Sequence, residues 1–432
     1  MTRAKSGDLR SLLKGNIGTL IYTRMLLFFA MQMYHGYLPL YVQDLGGSKE
    51  VIGFVTSLTN IAALIIIPVM GYVADHWGRV KLIASAFYLR IFTFIIYALS
   101  GNWVHVAIGN FYDGFSQYNH APQTAIMADS MPPGKRATGF AVLNNLPNGV
   151  SILGPIVGAF FISTYGTVLG MKYLCVIIAV FMFMIGITRQ LFMTETLQPD
   201  PNAKPLNSVS NVLSMIKEAY INCVDIIKWT PKNMAIYVLI QGISTFSGAM
   251  VGAFWIIFAI NIIKLTAAEW GLIMSTQLFF GLIIAIPAGI ITDKVGSKKM
   301  ITLMLFLSLF QGYFFVYYCQ NFVQTLALML YVQFITSFIV PASMAILADM
   351  VPRNLRGRVA SAYGRGTIGV QSGAGGAGGG YVLAIPTVVG GVVGGYIYAL
   401  NPAFPWLAQI VLLAVCLVLN ILLFKEPEHR EI

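Results

Sequence analysis

Long apolar stretches recur along the whole chain, and they limit what it can fold into. Many of them reach the roughly 20 residues that an α-helix needs to cross about 30 Å of hydrocarbon. The sequence lacks the alternation and frequent turns of a membrane β-barrel, so we expect the spans to be helices. Charged residues make up 10% of the chain, against roughly 25% in soluble domains. The sequence therefore predicts an all-α integral membrane protein.

Twelve membrane spans are predicted, and they are numbered one to twelve in chain order. The first is too long for the apolar core of a signal peptide and lacks a small-residue cleavage site, so we keep it as a span. The predicted bounds are 17–42, 50–74, 82–101, 103–129, 137–164, 170–192, 233–262, 268–292, 299–319, 322–349, 357–400 and 404–424.

Basic residues are distributed unevenly between the two sides of these spans. The formal net charge is +11, and most Lys and Arg fall on the side that holds both chain ends, with Arg189 near the end of span six counted among them. The loops on the other side hold Lys49, Lys172 and Lys264. By the positive-inside rule both termini are cytoplasmic, so the charge reflects topology and not a nucleic-acid partner. We expect the protein to lie in the plasma membrane.

A long polar stretch separates span six from span seven. It opens with a run of spaced prolines that is typical of a linker. Its second part has apolar residues at helical spacing, which favours an amphipathic helix on the inner membrane surface over a docking site. The predicted domains are an N-terminal six-helix bundle at 1–193, a cytoplasmic linker with an amphipathic helix at 194–232, and a C-terminal six-helix bundle at 233–432.

Two loop patterns occur twice in the chain, which indicates an internal duplication. Gly71, Asp75 and Gly78 align with Gly289, Asp293 and Gly296 at an offset of 218. Asp129, Pro132 and Arg136 align with Asp349, Pro352 and Arg356 at an offset of 220. The patterns follow spans two and eight and spans four and ten, which are matching positions in two six-span units. The chain is therefore predicted to be a duplicated six-helix bundle.

The loop after span two carries a specific signature, G-x-x-x-D-x-x-G-R-x-K. It is formed by Gly71, Asp75, Gly78, Arg79 and Lys81. With this signature and the duplication, the chain resembles the major facilitator superfamily over nearly its whole length. The resemblance implies two pseudo-symmetric six-helix bundles and a secondary transporter. It also implies that the protein is not an enzyme.

The resemblance extends to span five and fails in two places. Gly154, Pro155 and Gly158 meet the family's proline-glycine signature on helix five, which is associated with antiporters. In the repeated loop, Ser297 replaces the arginine. Asn110 stands where proton-coupled members usually have an arginine on helix four. Any proton site must therefore be built differently, or coupling uses another ion.

The loop motifs are predicted to form a gate at the cytoplasmic face. A helix N-terminus favours the negative charge of Asp75, and Arg79 can reach Asp129. The alternative is that the basic residues only satisfy the positive-inside bias. The predicted gate residues are Gly71, Asp75, Gly78, Arg79, Asp129, Arg136, Asp293, Asp349 and Arg356.

Four charged residues are predicted to lie inside spans. They are Arg24 on span one, Arg90 on span three, Asp113 on span four and Arg365 on span eleven. A charge at the bilayer centre costs roughly 2.5–3.5 kcal/mol even on the lenient insertion scale, so such residues normally face an interior cavity. One carboxylate cannot neutralise three arginines. The excess positive charge favours an anionic substrate and argues against a bound metal.

Polar residues recur at helical spacing on spans one and four and form one stripe on each. In the resembled family helices one, four, seven and ten line the central cavity, so these stripes and polar residues of spans seven and ten form the predicted site. The predicted substrate-binding residues are Arg24, Met31, His35, Gln117, His120, Gln241, Gln333 and Arg365. The predicted proton-coupling residues are Asp113 and His120.

Several alternatives remain open within this site, and for His35 the sequence favours a side chain that extends toward the outer surface. Arg90 is on span three, which is usually peripheral in the resembled family, so a structural ion pair with Asp113 is as consistent with the sequence as a functional role. His120 is also consistent with a hydrogen-bonded core histidine.

Span eleven is longer than its counterpart, span five. If Gly390 and Gly394 correspond to Gly154 and Gly158, the offset rises from 220 to 236, which leaves about 16 extra residues around 371–387. Glycine in a helix costs about 1 kcal/mol per residue relative to alanine, so this glycine cluster is consistent with a broken or re-entrant helix near mid-membrane. A glycine-rich outer loop after a normal helix is the alternative.

Together these features predict a secondary active transporter that moves a small, anionic organic solute by alternating access with proton coupling. The alternatives are a drug-type proton antiporter, and a lipid flippase or nontransporting receptor on the same fold. The four cysteines stand singly, without metal-site or disulfide spacing. We expect a monomer in the lipid bilayer with a small-molecule substrate and a coupling proton, and no nucleic acid, cofactor or metal.

Overall fold

A computed structural model of the chain describes residues 14–131, 136–197, 217, 221, 224–352, 355–364, 367–369 and 380–426. Within these residues the chain is almost entirely helical and contains no strand. Nine helical stretches of this described part are long and apolar enough to cross a membrane. The predicted all-α membrane architecture is therefore confirmed.

The helices follow the order of the predicted spans, and a span can contain two helices. In the N-terminal half they are Gly15–Tyr34, Leu38–Asp44, Lys49–Trp77, Arg79–Ala98, Trp103–Phe115, His120–Ser130, Arg136–Ser151 and Gly154–Phe192. In the C-terminal half they are Lys232–Gly252, Phe254–Asn261, Ala267–Val295, Ser297–Tyr317, Phe322–Met350, Arg356–Tyr363, Gly380–Leu400 and Phe404–Leu422.

The stretch Gly154–Phe192 contains a chain reversal at Gly166, whose φ is +77°. Glycine adopts this backbone conformation without steric penalty. A Cβ on Gly170 would lie 2.6 Å from the carbonyl oxygen of Phe161, so the helical arms before and after Gly166 run side by side. The first arm ends span five and the second forms span six, as the sequence predicts.

Spans one and four were expected to be continuous helices, but each is interrupted by a short 3₁₀ turn. The turns are His35–Tyr37 in span one and Ser116–Asn119 in span four. The helix that follows each turn has a proline in its first turn, Pro39 and Pro122 respectively. Proline has no N–H group to continue the hydrogen bonds of the preceding helix, which accounts for both interruptions.

Hydrogen bonds gather helix ends on one side of the molecule. The Asn16 side chain donates hydrogen bonds to Ser130, at the end of span four, and to Thr194, just after span six. Asn233 meets Lys425 at the start of span seven and just after span twelve. We call this side the terminal face, because it holds the N-terminal end of span one and the C-terminal end of span twelve. The other side is called the opposite face.

The two halves pack together along two pairs of spans, two with eleven and five with eight. A Cβ on Gly53 would lie 2.2 Å from the carbonyl oxygen of Gly391. A Cβ on Gly271 would lie 2.6 Å from the Cβ of Ala159. These contacts lie toward the opposite face, where one apolar core includes residues of both halves. The described contacts therefore close the molecule at the opposite face.

The glycines of span five and their counterparts in span eleven pack in the same way. Each lies so close to a carbonyl oxygen of span one or span seven that a Cβ would not fit without a shift of the backbone. The pairs are Gly154 with Phe29, Gly158 with Met33, Gly390 with Phe246, and Gly394 with Met250. This agrees with the alignment at an offset of 236, and it gives the helix-five signature a packing role.

Each half also contains an asparagine that clamps the residue following its last span. Asn16 accepts from the Thr194 N–H at 2.7 Å and donates to the Thr194 carbonyl at 2.9 Å. Asn233 accepts from the Lys425 N–H at 2.9 Å and donates to the Lys425 carbonyl at 2.7 Å. The first and last spans of both halves are thus tied by the same paired hydrogen bonds, which we call the amide clamps.

A glutamate follows each clamped residue and caps the third span of its half. The Glu195 carboxylate accepts from the Val80 N–H at 3.0 Å, and the Glu426 carboxylate accepts from the Lys298 N–H at 3.4 Å. Both N–H groups belong to the first turn of a helix, which lacks intrahelical acceptors and favours negative charge. The duplication therefore repeats a set of contacts that the loop motifs alone do not reveal.

We expect Asn16→Ala to destabilise the protein by about 1–3 kcal/mol and Asn233→Ala by about 1 kcal/mol or less. Each change leaves a backbone N–H and a carbonyl without their side-chain partner. The Asn16 side chain is buried, whereas the bonds of Asn233 are exposed, so water can replace them. The midpoint of thermal unfolding in detergent measures the effect, with Asn148→Ala as the control because the Asn148 side chain is exposed. Midpoints equal to that of the control in both variants would show that the clamps contribute nothing.

Span eleven is interrupted toward the terminal face. Its first helix ends at Gly364, whose φ is +67°, and the span resumes at Gly380. A Cβ on Gly380 would lie 2.3 Å from the backbone nitrogen of Gly364, so the chain leaves the span and returns to the same place. This break agrees with the broken-helix interpretation, and residues 380–387 are helical and not part of an outer loop, while residues 371–379 of the glycine cluster are not described. Most of the intervening segment lies outside the described residues.

Most of the predicted linker, including 198–216, lies outside the described residues. Residues 224–229 are helical, and Ile226 is buried against the C-terminal half. Thr230 bonds to the Tyr363 hydroxyl at 2.7 Å. The end of the linker is therefore attached to the C-terminal half, while the predicted domain bounds and the surface-lying amphipathic helix remain predictions.

Candidate functional site

A buried ion pair joins spans three and four. Arg90 donates from Nε to Asp113 Oδ1 at 2.9 Å and from Nη2 to Oδ2 at 3.3 Å. The side chains are 13% and 10% exposed, respectively. Two parallel charge-assisted bonds fix both groups more firmly than a single contact. The structural pairing that the sequence left open for Arg90 is therefore present, and it does not exclude a functional role.

Aromatic and hydroxyl groups surround this pair. Ser116 donates to the Asp113 carboxylate at 3.4 Å. The ring of Tyr34 packs edge-on against Phe94, and the His35 ring centroid lies 6.0 Å from that of Tyr34. His35 is exposed, and it lies within electrostatic range of Asp113. Span one therefore contributes its interrupted region to the surroundings of the ion pair.

Arg24 is buried between spans one and four. It is 7% exposed, and its guanidinium carbon lies 5.3 Å from the ring centroid of Phe28. Its Nη1 approaches the sulfur of Met127 at 4.0 Å. Met31, two turns further along span one, is half-buried, and Gln117 is buried in the 3₁₀ turn of span four. The structure thus places the predicted residues of these two spans inside the bundle.

The predicted opposing wall lies in spans seven and ten. Gln241 is completely buried, and neither its Oε1 nor its Nε2 has a hydrogen-bond partner among the described residues. An unsatisfied buried amide costs about 1–3 kcal/mol, and a bound molecule that forms hydrogen bonds with it would remove this cost. Gln333 is half-buried and donates to Ser337 at 3.4 Å. These two amides are consistent with a polar site that the described side chains do not fill.

Several predicted site residues lie beyond what the structure describes. The side chains of Asp75, His120 and Arg136 fall in this class, although their backbones are helical, and Gly71 is placed only as part of the helix Lys49–Trp77. Arg365 lies outside the described residues. Their contacts therefore remain predictions.

The predicted gate contact between Arg79 and Asp129 is present. Arg79 forms an ion pair with Asp129 and also donates to the Thr196 hydroxyl at 3.2 Å. The Asp129 side chain is 46% exposed, so the ion pair itself contributes at most about 1 kcal/mol. All three residues belong to the N-terminal half. The contact joins the ends of spans three, four and six within that half.

Gly78, at the centre of the same motif, begins span three with φ of +88°, and a Cβ there would lie 3.0 Å from the Glu195 carboxylate. Its counterpart Gly296 has φ of +95°. Only glycine adopts this conformation readily, which explains the repeated motif glycine.

The counterpart of the gate in the C-terminal half is built differently. Arg356 donates to the carbonyls of Ala348 at 3.1 Å and Val351 at 3.3 Å. A cation at a helix C-terminus is favourable because it meets unpaired carbonyls and the negative end of the dipole. Asp349 is half-buried and Asp293 is exposed, and neither forms an ion pair within the described part of the chain.

The sequence predicts Arg189 among the basic residues at the membrane surface, and that prediction is wrong. Arg189 is completely buried within the N-terminal half. It donates from Nε to Thr23 at 3.0 Å and from Nη1 to Gln123 at 2.9 Å, and its guanidinium lies 4.4 Å from the ring centroid of Phe87. One turn of helix separates it from the end of span six at Phe192. The sequence feature that could have indicated its burial was its position inside the predicted span six.

Membrane-crossing helices in two like halves, with buried ionic groups between the helices, define a multi-pass membrane transporter. A family model described as Major Facilitator Superfamily matches residues 20–231 and 237–432. The chain therefore belongs to the major facilitator superfamily, whose members are transporters and not enzymes, and it is an integral multi-pass membrane protein.

Two relatives and one solved structure are also similar to this chain. An uncharacterized MFS-type transporter of Methanocaldococcus jannaschii is 26% identical over 67% of this chain and 69% of its own length. The multi-drug resistance efflux pump PmrA of Streptococcus pneumoniae is 24% identical over 79% of this chain and 84% of its own. The solved structure of the nucleoside transporter NupG superposes with a TM-score of 0.66 at 16% identity, covering 93% of this chain and 96% of that one. This last likeness concerns the fold alone.

Proposed function

We propose that the protein is a secondary active transporter for a small organic anion, with proton coupling and alternating access. The observation that carries the substrate class is the guanidinium of Arg24, which is 7% exposed between spans one and four. Guanidinium groups recognise carboxylate, sulfonate and phosphate groups with paired hydrogen bonds. Two amides across the bundle, the buried Gln241 and the half-buried Gln333, supply neutral groups for the rest of the solute.

The ion pair of Arg90 and Asp113 supports proton coupling. Loss of the negative charge of this carboxylate would remove the electrostatic attraction between the two groups. The two protonation states of Asp113 therefore favour different positions of spans three and four. Coupling of this kind does not need the helix-four arginine that Asn110 replaces. His120 remains a second candidate for the proton.

Alternating access is supported by where the halves touch. Spans two and eleven and spans five and eight hold the opposite face closed, through contacts such as the Ser57 hydroxyl donating to the Val388 carbonyl at 3.2 Å. The interruptions of spans one and four provide points where helices can bend. The Arg79–Asp129 contact would hold the ends of spans three, four and six together, so that the N-terminal half moves as one body when the halves rock in the other direction.

The proposed orientation places the terminal face in the cytoplasm of a plasma membrane. Lys and Arg are concentrated there in the sequence, which matches the positive-inside rule. We propose a monomer, since two like halves already form a complete pathway within one chain.

A drug-type proton antiporter is the second candidate. It is favoured by the likeness to the multi-drug resistance efflux pump PmrA and by the proline-glycine signature at Gly154, Pro155 and Gly158. For this candidate we take an organic cation as the test solute, because the buried guanidinium of Arg24 favours anions.

Flux measurements in proteoliposomes separate the two candidates. Benzenesulfonate stays charged at all working pH values, so a pH gradient does not drive its passive diffusion, and ethidium serves as the organic cation. We expect gradient-dependent benzenesulfonate uptake, with KM raised about tenfold or more by Arg24→Gln because a charged hydrogen bond is lost. Arg24→Lys is the matched control that retains the charge. Uptake of ethidium without benzenesulfonate would favour the antiporter and contradict the anion proposal.

A further inference from the structure

Arg189 lies beside the proposed anion site, on the far side of the same two spans. Its partner Thr23 is the chain neighbour of Arg24, and its partner Gln123 is one helical turn from Met127, which contacts Arg24. Arg189 is also within electrostatic range of Arg24. Two guanidinium groups therefore flank one region of spans one and four.

The surroundings of Arg189 provide no negative charge among the described side chains. Its contacts are a hydroxyl, an amide and an aromatic ring, and Nη2 has no hydrogen-bond partner in the described part of the chain. A buried charge without a counter-ion is strongly unfavourable, by several kcal/mol even after relaxation. Neutral dipoles and a cation–π contact offset only part of this. Such a group retains a large positive potential in its neighbourhood.

We infer that Arg189 sets the charge selectivity of the transport site through its electrostatic field, without touching the solute. The inference rests on the proposed transport of anions and adds a residue and a mechanism to it. Arg189 is completely buried, so it acts at a distance through the potential at the Arg24 site. Arg189 therefore contributes to binding without contacting the solute. The bound solute supplies the negative charge that the surroundings of Arg189 lack.

A purely structural role for Arg189 makes a different prediction. Its bonds to Thr23 and Gln123 connect span six to spans one and four, so loss of the side chain could distort the site. Distortion would weaken binding of every ligand by a similar factor. A lost field would weaken binding in proportion to ligand charge, because the Coulomb energy with a remote charge is proportional to the charge of the ligand.

A charge-graded series of competitors tests the inference. Benzenesulfonamide, benzenesulfonate and benzene-1,3-disulfonate carry no charge, one charge and two charges on the same ring. Their apparent Ki against labelled benzenesulfonate uptake is measured in proteoliposomes for the wild type, Arg189→Gln and Arg189→Lys. Lys14→Gln serves as the control for loss of an exposed basic residue at the terminal face.

For Arg189→Gln we expect little change for the neutral compound, about a fourfold rise in Ki for the monoanion and about fifteenfold for the dianion. Arg189→Lys retains the charge and is expected to keep the wild-type ratios among the three ligands, even if its stability falls. Equal factors for all three ligands, or wild-type ratios in Arg189→Gln, would overturn the inference while leaving anion transport intact. Absence of benzenesulfonate uptake by the wild type would overturn the proposed function, and this inference with it.

Discussion

Oxidation of a Ser57→Cys, Gly391→Cys double variant is expected to abolish transport, and reduction is expected to restore it. A Cβ on Gly391 would lie 3.6 Å from the Cβ of Ser57, and disulfides join Cβ atoms about 3.5–4.5 Å apart. The two positions belong to spans two and eleven, in different halves. A disulfide there would hold the opposite face closed, so a solute could reach the site from one side only.

The cross-linking result needs a background without other reactive thiols. Cys175, Cys319 and Cys416 are buried and Cys223 lies outside the described residues, so all four are replaced by alanine. The two single cysteine variants serve as controls, and oxidation should leave their flux unchanged. Full flux through protein in which mass spectrometry shows complete cross-linking would mean that the opposite face does not need to open.

The second large effect is expected for Asp113→Asn, which should eliminate solute accumulation driven by a pH gradient. The amide cannot gain or lose a proton in this range, so it cannot couple proton binding to movement of spans three and four. The change also leaves the Arg90 guanidinium buried without its counter-ion, which costs about 3–5 kcal/mol. Accumulation of labelled benzenesulfonate in proteoliposomes, with and without the gradient, measures the coupling.

Two further measurements distinguish lost coupling from a damaged protein. Exchange of internal and external benzenesulfonate at equal pH requires only a working pathway, and it should persist in Asp113→Asn. Asp129→Asn removes a different carboxylate and should retain gradient-driven accumulation, because Asp129 is 46% exposed and belongs to the terminal-face contact. Accumulation by Asp113→Asn equal to the wild type would remove this residue from the coupling mechanism.

Features encoded by local sequence patterns could be predicted. The apolar spans, the duplication and the close-packed glycines such as Gly154 and Gly390 follow from residue type and spacing, since glycine alone permits such helix contacts. The extra residues in span eleven were visible as a change in offset, and the structure shows the chain leaving at Gly364 and returning at Gly380. The interruptions of spans one and four were missed, although Pro39 and Pro122 signal them.

Most contacts between residues distant in the chain could not be predicted, although the ion pair of Arg79 with Asp129 was. The amide clamp of Asn16 on Thr194 joins positions 178 residues apart, and nothing in the local sequence pairs them. The burial of Arg189 depends on Thr23 and Gln123, which offer it neutral partners from two other spans. A charge near the end of a span can extend to the surface or turn inward, and only the packing of neighbouring helices decides between these orientations.

The proposed transport cycle requires the two halves to rock as rigid bodies around the buried ionic groups. The distance between spin labels at Lys81 and Lys299 reports this motion, because both residues are exposed near the terminal ends of spans three and nine, in different halves. Double electron–electron resonance in lipid nanodiscs should show two distance populations whose ratio changes with pH and with benzenesulfonate. In the oxidised Ser57→Cys, Gly391→Cys protein, labelled after its disulfide has formed, only the longer distance should remain. A single distance that is the same under all these conditions would contradict the account.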